Sequence, residues 1–576
     1  MLLGVIATDV KPSAALPHRL IAGLDPEQAA AATVPDGPAL IIAPAGSGKT
    51  TTLIARLGVL VSRGVGPDRI AVATFNRAAA SELSERIAIR LVPDCPAAER
   101  IEVRTLHALA RQVVLDARGQ QELVPDRLPL LRVLLRRHAD SPDSDAQGRV
   151  DPLPDAAELD TEISAWKVEG RDPRHPSLVA EYRSMLAARG AIDFDDLVAD
   201  ATHLLESDAT LRHRWQARFT HLCVDEFQDV DAGQLRLVRL LAAPHDNLFV
   251  VGDDDQTIYA WRLADVRRIL GFGTLYPDAR HVQLPTNYRC PPAVVAASRR
   301  LIEHNAERFA KRIEAGAGPP PPAAVAVAQL AAFDSSVDEW ADRLAALAAQ
   351  EALAGRTICF LARTGSELNP IFASLVHAGV AHTAAGDPPA LAGPVRQLVD
   401  GARQIPAHAP PFEALRRLRQ RLGWLRAAGS DVLGEDDHSA LDALLGWSAA
   451  FARLDRFLAA YDSAVVRIRQ LRRADAPVEL ATVHAAKGRE WQTVVVIGME
   501  VDRFPNRRAI VESSNPGRAM EEERRLAYVA MTRATRTLVL AYDPGRASPF
   551  VAEAGVERAG AERAGAATAP PRGQPP

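Results

Sequence analysis

Residues 43–50 constrain the fold of this chain more than any other segment. Their sequence, Ala43-Pro44-Ala45-Gly46-Ser47-Gly48-Lys49-Thr50, follows the apolar run 39–42 and precedes the helix-like run 51–57. A buried strand that ends in small residues allows backbone N–H groups to close around phosphate oxygens, and the next helix presents its N-terminus to the same anion. The segment therefore predicts a P-loop, in which Lys49 reaches the β- and γ-phosphates of a nucleotide and Thr50 holds Mg²⁺.

The segment departs from the general P-loop pattern at its first position, where Ala43 stands in place of glycine. Gly46 and Gly48 remain where the backbone must pass closest to phosphate. A chance glycine-rich turn is the alternative, and the strand and helix patterns on either side disfavour it. The residues predicted to bind nucleotide in this segment are Ala45, Gly46, Ser47, Gly48, Lys49, Thr50 and Thr51.

The basic residues of the chain are nearly all arginine. Among 68 basic residues in 576, the lysines are Lys11, Lys49, Lys167, Lys311 and Lys487. Lysine offers a compact point charge that fits a phosphate cradle better than the planar arginine fork, so Lys49 stands out. The net charge of -4 disfavours a generally basic nucleic-acid coat but permits a local basic groove.

The cysteines and the N-terminus bear on the location of the protein. Cys95, Cys223, Cys290 and Cys359 form no C-x-x-C pair, so neither a zinc site nor a disulfide framework is indicated. A reducing, cytoplasmic location is therefore predicted. The apolar residues 1–7 lack a basic leader and are too short to span a bilayer, so no membrane association is predicted.

Strand and helix patterns alternate after the P-loop. Residues 70–75 are typical of a buried strand, residues 76–87 of the helix that follows it, and residues 101–107 of a third strand that runs into a helix. This alternation predicts a parallel sheet with helices on both faces. Residues 112–190 are mostly helical in pattern, with polar and proline breaks, and indicate an inserted helical subdomain.

Two acidic residues end a later apolar strand. The run 221–224 leads directly into Asp225 and Glu226. Carboxylates at the C-terminal end of such a strand are placed to hold Mg²⁺ and an attacking water. Adjacent acids are common on protein surfaces, but in a P-loop protein this position favours Asp225 as the metal ligand and Glu226 as the group that polarises water.

A further strand, 247–251, leads into the segment Gly252–Arg262. Gln256 follows an acidic turn there and is a candidate to sense the terminal phosphate. Tyr259 and Trp261, with Arg262 adjacent, indicate a stacking platform for unpaired bases. The alternative is that both aromatic residues belong to the core.

These motifs occur together with three more in a fixed order along the chain. The further motifs are Leu-Pro-Thr-Asn-Tyr-Arg at 284–289, Ala-Thr-Val-His-Ala-Ala-Lys-Gly-Arg-Glu-Trp at 481–491, and Glu-Glu-Glu-Arg-Arg-Leu-Ala-Tyr-Val-Ala-Met-Thr-Arg-Ala at 521–534. From about residue 24 to 552, the set resembles the UvrD/Rep/PcrA class of superfamily 1 DNA helicases.

The resemblance implies an α/β fold with two RecA-like P-loop parallel-sheet domains, each with a helical insertion. The implied first domain comprises 1–111 and 191–285, with a helical insert at 112–190. The implied second domain comprises 286–407 and 477–552, with an insert at 408–476 that is shorter than the duplex-contacting insert usual in the family. The Ala/Gly/Pro-rich tail 553–576 is predicted to be disordered.

The resemblance also assigns nucleotide contacts. Gln28 and Tyr288 are implied to hold and stack the adenine, although Gln28 alone would be interpreted as a surface helix residue. Glu490 is implied to contact the ribose, with Gly488 beside it.

The implied catalytic set is Lys49, Glu226, Gln256, Arg289 and Arg533. The last three are implied to surround the γ-phosphate, where the transition state spreads negative charge over three oxygens. The resemblance places both arginines in the second domain and so ties hydrolysis to domain closure.

The implied DNA contacts are Thr74, Phe75, Thr105, His107, Tyr259, Trp261, Arg262, Thr482 and His484. Two segments depart from the family pattern: Asn76-Arg77-Ala78 follows Phe75 where Thr-Asn-Lys is usual, which alters one DNA-contact position, and Arg489 replaces the usual apolar residue before Glu490. Lys311 matches the family segment after the Asn-Tyr-Arg motif, whereas Lys167 has no assignment.

The resemblance implies an ATP-dependent DNA helicase that translocates 3′–5′ on single-stranded DNA in repair or replication, as a monomer or weak dimer. ATP and Mg²⁺ are the implied cofactors. The implied partners are single-stranded DNA, its junctions with duplex, and a repair or replication protein. The short second insert leaves open a translocase that displaces proteins but unwinds poorly. A non-catalytic DNA-binding scaffold would require a lost catalytic residue, and each implied catalytic position is filled.

Overall fold

The computed structural model describes residues 16–138, 153–316, 328–330, 337–384, 388–424, 433 and 435–556. The predicted disordered tail therefore lies outside the described residues from 557 onward. The described chain divides into two compact units. Unit 1 contains the residues up to Tyr288 together with Glu307–Ile313, and unit 2 contains Arg289–Ala306 and the residues from Glu314 onward.

Unit 1 contains nine strands and thirteen helices within the described residues. The strands are β1 Ala39–Ile42, β2 Ile70–Thr74, β3 Glu102–Thr105, β4 Glu122–Val124, β5 Ala191–Asp193, β6 His221–Val224, β7 Leu248–Gly252, β8 Arg280–Gln283 and β9 Thr286–Asn287. The helices are α1 Leu16–Ala22, α2 Pro26–Ala32, α3 Lys49–Ser62, α4 Arg77–Arg90, α5 Leu106–Arg118, α6 Leu128–His138, α7 Ala156–Glu169, α8 Pro176–Ala187, α9 Phe194–Ser207, α10 Ala209–Arg218, α11 Ala232–Ala242, α12 Val266–Leu270 and α13 Phe272–Leu275.

The main sheet of unit 1 is parallel, in the order β3-β2-β6-β7-β1-β8. Successive residues of β1 enter two different cores, because Leu40 packs on one face of the sheet and Ile41 on the other. Strands buried on both faces are continuous apolar runs, as the sequence of β1 shows. The predicted parallel sheet with helices on both faces is confirmed.

The helical insertion of unit 1 has its own core. Residues from α6, α7 and α8, among them Leu131, Ile163 and Tyr182, form a separate buried cluster. Beside it, β4 and β5 form a small parallel pair. Helix α5 continues through residue 111 to Arg118, and Val113 packs into the core beneath the main sheet.

Unit 2 contains seven strands and ten helices within the described residues. The strands are β10 Glu314–Ala315, β11 Ala328–Leu330, β12 Ile358–Ala362, β13 His382–Ala384, β14 Val478–Thr482, β15 Trp491–Val496 and β16 Ala534–Ala541. The helices are α14 Pro292–Ile302, α15 Val337–Leu353, α16 Asn369–Ala378, α17 Gly393–Ala402, α18 Pro411–Arg421, α19 Glu435–Ser448, α20 Leu454–Leu471, α21 Arg507–Val511, α22 Pro516–Met531 and α23 Pro549–Glu553.

Unit 2 repeats the same architecture with a second parallel sheet, in the order β11-β16-β15-β12-β14-β13. Helices α17 to α20 form a separate core, in which Leu398 of α17 packs with Leu415, Leu441 and Phe457. The predicted α/β class, with two parallel-sheet domains and a helical insertion in each, is thus confirmed. None of the described helices is long and apolar enough to cross a membrane.

Candidate nucleotide and DNA sites

The P-loop segment leaves the carboxyl end of β1 and turns directly into α3. The backbone N–H of Ala43 donates to the carbonyl of Gly252 at 2.9 Å, so the segment begins attached to β7. Ala43 is fully buried, and a methyl group therefore fits where the general pattern has glycine. Gly46 and Gly48 both have positive φ, at 69° and 80°, which is the region that favours glycine. Lys49 Nζ donates to the Ala43 carbonyl at 3.2 Å and so bends back over the loop.

Gln28 and Tyr288 both contact the P-loop. Gln28 forms a capping box with Asp25 at the start of α2, and its Nε2 donates to the Ser47 carbonyl at 2.9 Å. The Tyr288 N–H donates to the Gly46 carbonyl at 2.9 Å, and its hydroxyl donates to Asp25 at 2.5 Å. The Tyr288 side chain remains 55% exposed, which leaves an aromatic surface open beside the loop.

The donors around this loop fit a triphosphate. Within the part of the chain that the structure describes, the Ser47 hydroxyl is buried and has no hydrogen-bond partner. The loop also presents the N-terminus of the 14-residue helix α3 and the Lys49 ammonium. A polyanion would supply the acceptors for all three kinds of donor.

The acidic pair follows β6, two strands away from β1 in the sheet. Asp225 is buried, and burial raises its pKa to about 7, with the Glu226 charge adding to this rise and Lys49 opposing it. Glu226 adopts a left-handed conformation, with φ of 52°, which is uncommon for a residue with a side chain. A hard divalent cation takes carboxylate and hydroxyl oxygens, so Asp225 and Thr50 are chemically suited to Mg²⁺.

Gln256 lies on the turn after β7, between the P-loop and the acidic pair in strand order. Its Nε2 donates to Asp253 at 2.6 Å. The Asp253 N–H donates to Gln228 at 2.9 Å, and Gln228 Nε2 donates to Glu226 at 2.5 Å. Sequence reasoning identified neither Gln228 nor Asp253 as members of the site, because their role depends on contacts across the strand ends.

The aromatic DNA candidates form a ladder at the same edge of the sheet. Phe75, after β2, stacks on Tyr259 with ring centroids 4.8 Å apart and planes at 17°. Trp261 meets Tyr259 edge-on at 6.2 Å, and the Arg262 guanidinium lies 5.3 Å from the Trp261 ring centre. Trp261 is 62% exposed, so it is not a core aromatic residue.

Three other DNA candidates in unit 1 serve local structure. Thr74 is buried and donates its hydroxyl to the Asn76 carbonyl, and Thr105 caps α5 through the Ala108 N–H. His107 lies edge-on to Phe194 at 5.8 Å, and burial lowers the pKa of its imidazole. The altered residue Asn76 also has a structural part, because its side chain caps α4.

A small pocket adjoins both sets of candidates. It is lined by Thr74, Phe75, Leu106, Asp225, Glu226, Val230 and Gln234. Thr74 at the end of β2 and Phe75 directly after it therefore line the same cavity as the acidic pair after β6.

The candidates of unit 2 lie around the start of β15. Arg289 Nε is 2.6 Å from Glu490, so these two form an ion pair. Arg533 is buried, donates to the carbonyls of Val529 and Arg489, and contacts Thr532.

The remaining candidates lie on either side of β15 in the sequence. Gly488 has φ of 84° with no atom within 4 Å of the position that a Cβ would take, and Thr482 ends β14. His484 is half-buried in the turn after that strand. The unusual Arg489 pairs with Glu479 and lies 4.9 Å from the Trp491 ring centre, which explains a charged residue at this position.

Two family models match the chain: the UvrD/REP helicase N-terminal domain over residues 24–277, and the UvrD-like helicase C-terminal domain over residues 457–544. The ATP-dependent DNA helicase UvrD2 of Mycobacterium tuberculosis is 30% identical over 92% of this chain and 80% of its own length. The chain belongs to the UvrD-like family of ATP-dependent DNA helicases. The same identity and coverage hold for UvrD2 of Mycobacterium bovis. The ATP-dependent DNA helicase PcrA of Staphylococcus aureus is 34% identical over 51% of this chain and 42% of its own length.

Most candidate residues of this UvrD-like helicase lie within the two matched regions, and a few lie between them. The N-terminal match covers the P-loop, the acidic pair and the aromatic ladder, and the C-terminal match covers Gly488, Glu490 and Arg533. Tyr288, Arg289 and Lys311 lie between the two matched regions.

Proposed function

We propose that this UvrD-like helicase hydrolyses ATP at the carboxyl edge of the unit 1 sheet to translocate 3′–5′ along single-stranded DNA. The observation that carries the proposal is the position of the candidates on adjacent strands. The P-loop follows β1, Gln256 follows β7 and the acidic pair follows β6, and these three strands are neighbours. The DNA candidate Phe75 directly follows β2 and the candidate Thr105 ends β3, and these are the next two strands of the sheet.

In the proposed reaction, the P-loop and Lys49 bind the phosphates while Gln28 and Tyr288 hold the adenine. Glu226 orients the attacking water and accepts its proton, and Gln256 hydrogen-bonds to the terminal phosphate. Thr50 and Asp225 would hold Mg²⁺, which supplies positive charge beside the phosphates when bound.

In this proposal, Arg289 and Arg533 supply positive charge at the γ-phosphate in addition to that of Lys49. Arginine at the γ-phosphate is worth roughly 10³ to 10⁵ in rate in related phosphoryl transfers. The Arg289–Glu490 ion pair implies that nucleotide binding separates these side chains, since Glu490 is proposed to take the ribose.

The aromatic ladder supports binding to single-stranded DNA without sequence preference, because every base offers a face on which an aromatic ring can stack. The membership of the UvrD-like family supports the 3′–5′ direction and a role in repair or replication with a protein partner from that pathway. We further propose a monomer or weak dimer in the cytoplasm, where the cysteines Cys95, Cys223, Cys290 and Cys359, which form no disulfide within the described chain, suit reducing conditions. The proposed substrate of the protein includes junctions of single-stranded and duplex DNA.

The first experiment compares Lys49→Ala and Glu226→Gln with the wild type in ATP hydrolysis and in single-stranded DNA binding. Both variants are expected to lose hydrolysis while DNA affinity stays largely intact. Glu512→Gln is the control, since Glu512 is an exposed carboxylate paired with Arg508 on α21. Normal turnover in either site variant would overturn the site assignment.

The second experiment tests direction with duplexes that carry a 3′ or a 5′ single-stranded tail. Unwinding is expected from the 3′ tail only, and unwinding from the 5′ tail alone would reverse the proposed direction. The compact α17–α20 core favours a second candidate, a translocase that displaces proteins but unwinds poorly. Displacement of a DNA-bound protein without strand separation on the same 3′-tailed DNA would select that candidate.

A further inference from the structure

A seven-residue segment between the family matches crosses from one unit to the other and back. The chain enters unit 2 at Arg289, returns to unit 1 for Glu307–Ile313, and continues in unit 2 from Glu314. We call residues 305–311, which run from the end of the preceding unit 2 segment into this crossing segment, the strap. Its contacts at either end involve charged side chains, and those of Lys311 in unit 1 are buried.

In unit 1 the strap is held by three consecutive aspartates on the turn after β7. Asp253, Asp254 and Asp255 are all fully buried. Lys311 Nζ lies 2.5 Å from Asp253 and 3.0 Å from Asp255, and it also contacts Asp254. An ammonium has three N–H donors, so one lysine meets three carboxylates in a way that the planar arginine fork does not.

Arg308 forms the other charged contact of the strap in unit 1. It meets Asp255 through two hydrogen bonds, of 3.0 and 2.8 Å. Arg308 therefore fastens the strap to the acidic turn through Asp255, whereas Lys311 also contacts Asp253. This difference makes the two residues a matched pair for experiment.

Asp253 connects Lys311 to the proposed catalytic groups. One carboxylate oxygen of Asp253 accepts from Lys311, and the other accepts from Gln256 at 2.6 Å. Through its N–H, Asp253 also orients Gln228, which donates to Glu226. A continuous series of polar contacts thus runs from Lys311 to both Gln256 and Glu226.

The other end of the strap is held within unit 2 by α22. The Ala306 N–H donates to the Glu521 carboxylate at 2.9 Å, and Asn305 contacts both the Glu521 carbonyl and Arg524. Helix α22 ends at Met531, two residues before Arg533. Only Glu307 separates the last residue held by α22 from Arg308.

We propose that Lys311 is a positioning residue for ATP hydrolysis, which holds Asp253 so that Gln256 and Glu226 face the terminal phosphate. Along the chain, Lys311 follows the residues that α22 holds within unit 2. This inference rests on the proposed roles of Glu226 and Gln256. Lys311 touches none of the reacting atoms in this account and acts only through Asp253.

The test compares Lys311→Met with Arg308→Met in DNA-stimulated ATP hydrolysis. Lys311→Met is expected to lower kcat by about tenfold to a hundredfold, since small displacements of catalytic groups have effects of this size. The dissociation constant for ADP, which has no γ-phosphate, should stay within about threefold of the wild type, because nothing in the nucleotide-binding loop is changed. Arg308→Met should lower kcat by no more than about threefold, because it leaves the Asp253 contacts in place. Equal losses of kcat in the two variants, or a weaker ADP affinity that accounts for the loss, would overturn the proposal.

Lys311→Arg tests rescue, because it restores a positive charge opposite Asp253. It is expected to recover part of the kcat lost in Lys311→Met, and no recovery in a folded variant counts against the proposal. If Lys311→Met does not fold, the pair Lys311→Met/Asp253→Asn removes one carboxylate charge together with the ammonium. That pair is expected to fold and still to show a lowered kcat; wild-type kcat in it would overturn the proposal.

Gln256→Ala in the same assays separates this inference from the proposed function. If Lys311 acts through Gln256, the loss in Lys311→Met/Gln256→Ala should be smaller than the product of the two separate losses. Normal hydrolysis in both Gln256→Ala and Glu226→Gln would defeat the proposed function itself. Impaired hydrolysis in those two variants with wild-type kcat in Lys311→Met would defeat the positioning role alone.

Discussion

Gly48 is constrained both by its backbone conformation and by a neighbouring side chain. Its φ is 80°, and a Cβ at this position would lie 2.5 Å from Gln28 Nε2. Gly48→Ala should therefore displace Gln28 and raise KM for ATP, besides adding about 1–2 kcal/mol of backbone strain. Gly64 has φ of 91° with no atom within 4 Å of its Cβ position, so Gly64→Ala should lose stability but keep KM. Steady-state kinetics and urea unfolding of both variants check this prediction, and an unchanged KM in Gly48→Ala would contradict it.

Trp261 provides a test of base stacking at a single residue. Its ring is 62% exposed and meets the Phe75–Tyr259 stack edge-on. Trp261→Ala should weaken single-stranded DNA binding by roughly 1–3 kcal/mol, whereas Trp261→Phe should lose less because a ring remains. Ile89→Ala is the control, since Ile89 is an equally exposed apolar residue of unit 1, at 65%. Fluorescence anisotropy with labelled oligonucleotides measures the change, and wild-type affinity in Trp261→Ala would remove this residue from the DNA site.

Among single residues, the sequence predicted the site residues that directly follow a strand. It missed the residues that reach the site through contacts with distant parts of the chain. Asp225 could be placed because it directly follows an apolar run, and carboxyl ends of parallel strands share one edge of a sheet. Asp254 and Asp255 have the sequence of an exposed polar turn, yet both are fully buried. Their cationic partners lie 53 and 57 positions away in the chain, and no local pattern signals such a contact.

At the scale of elements, buried ion pairs join the first helical insertion to α9. Lys167 of α7 lies 2.7 Å from Asp193 and 2.8 Å from Asp196, and its side chain is only 4% exposed. Lys167→Met should cost roughly 1.5–3 kcal/mol of unfolding free energy, because the buried Asp193 loses the nearer of two cations and keeps Arg127 at 3.1 Å. Arg171→Met, at an exposed pair with Glu169, should cost no more than about 1 kcal/mol. Chemical denaturation compares the two variants, and equal costs would show that the buried network contributes no more than a surface pair.

The N-cap residue of helix α11, Asp231, makes the stability of the protein depend on pH. Burial raises the pKa of its N-cap residue Asp231 to about 6, despite the hydrogen bond from the Gln234 N–H. A carboxyl with a raised folded pKa contributes stability fully below its ordinary pKa of about 3.9, and that stability is lost as pH rises through about 6. Asp231→Asn keeps a good cap without the charge, so it should stabilise the protein by roughly 1–3 kcal/mol at pH 8. Urea unfolding from pH 4 to pH 8 should show this gain shrinking as pH falls, and a gain independent of pH would contradict the assignment.

The elements themselves were largely predictable, because strands buried on both faces leave apolar runs and helices leave caps in the sequence. Packing across the edges of the helical insertions was not predictable in the same way. Helix α5 continues past residue 111 because Val113 completes the core under the main sheet, and α17 precedes residue 408 yet packs Leu398 against α18 to α20. The boundaries of the insertions were predicted from changes in composition along the sequence. Which helices share a hydrophobic core depends instead on which apolar faces pack together, and this cannot be deduced from composition.

For the whole molecule, the division into two units predicts two separable steps of unfolding. Each unit has its own sheet and buried clusters, and the described chain passes between them at 288/289, 306/307 and 313/314. ADP should raise the stability of unit 1 more than that of unit 2, by about 2.7 kcal/mol at a hundredfold excess over Kd, since the proposed phosphate and adenine contacts lie in unit 1 whereas Glu490, the proposed ribose contact, lies in unit 2. Hydrogen exchange in increasing urea can follow β1 and β7 separately from β12 and β15. Lys49→Ala should reduce the shift chiefly in unit 1. A single transition that ADP shifts equally in both sheets would contradict this prediction.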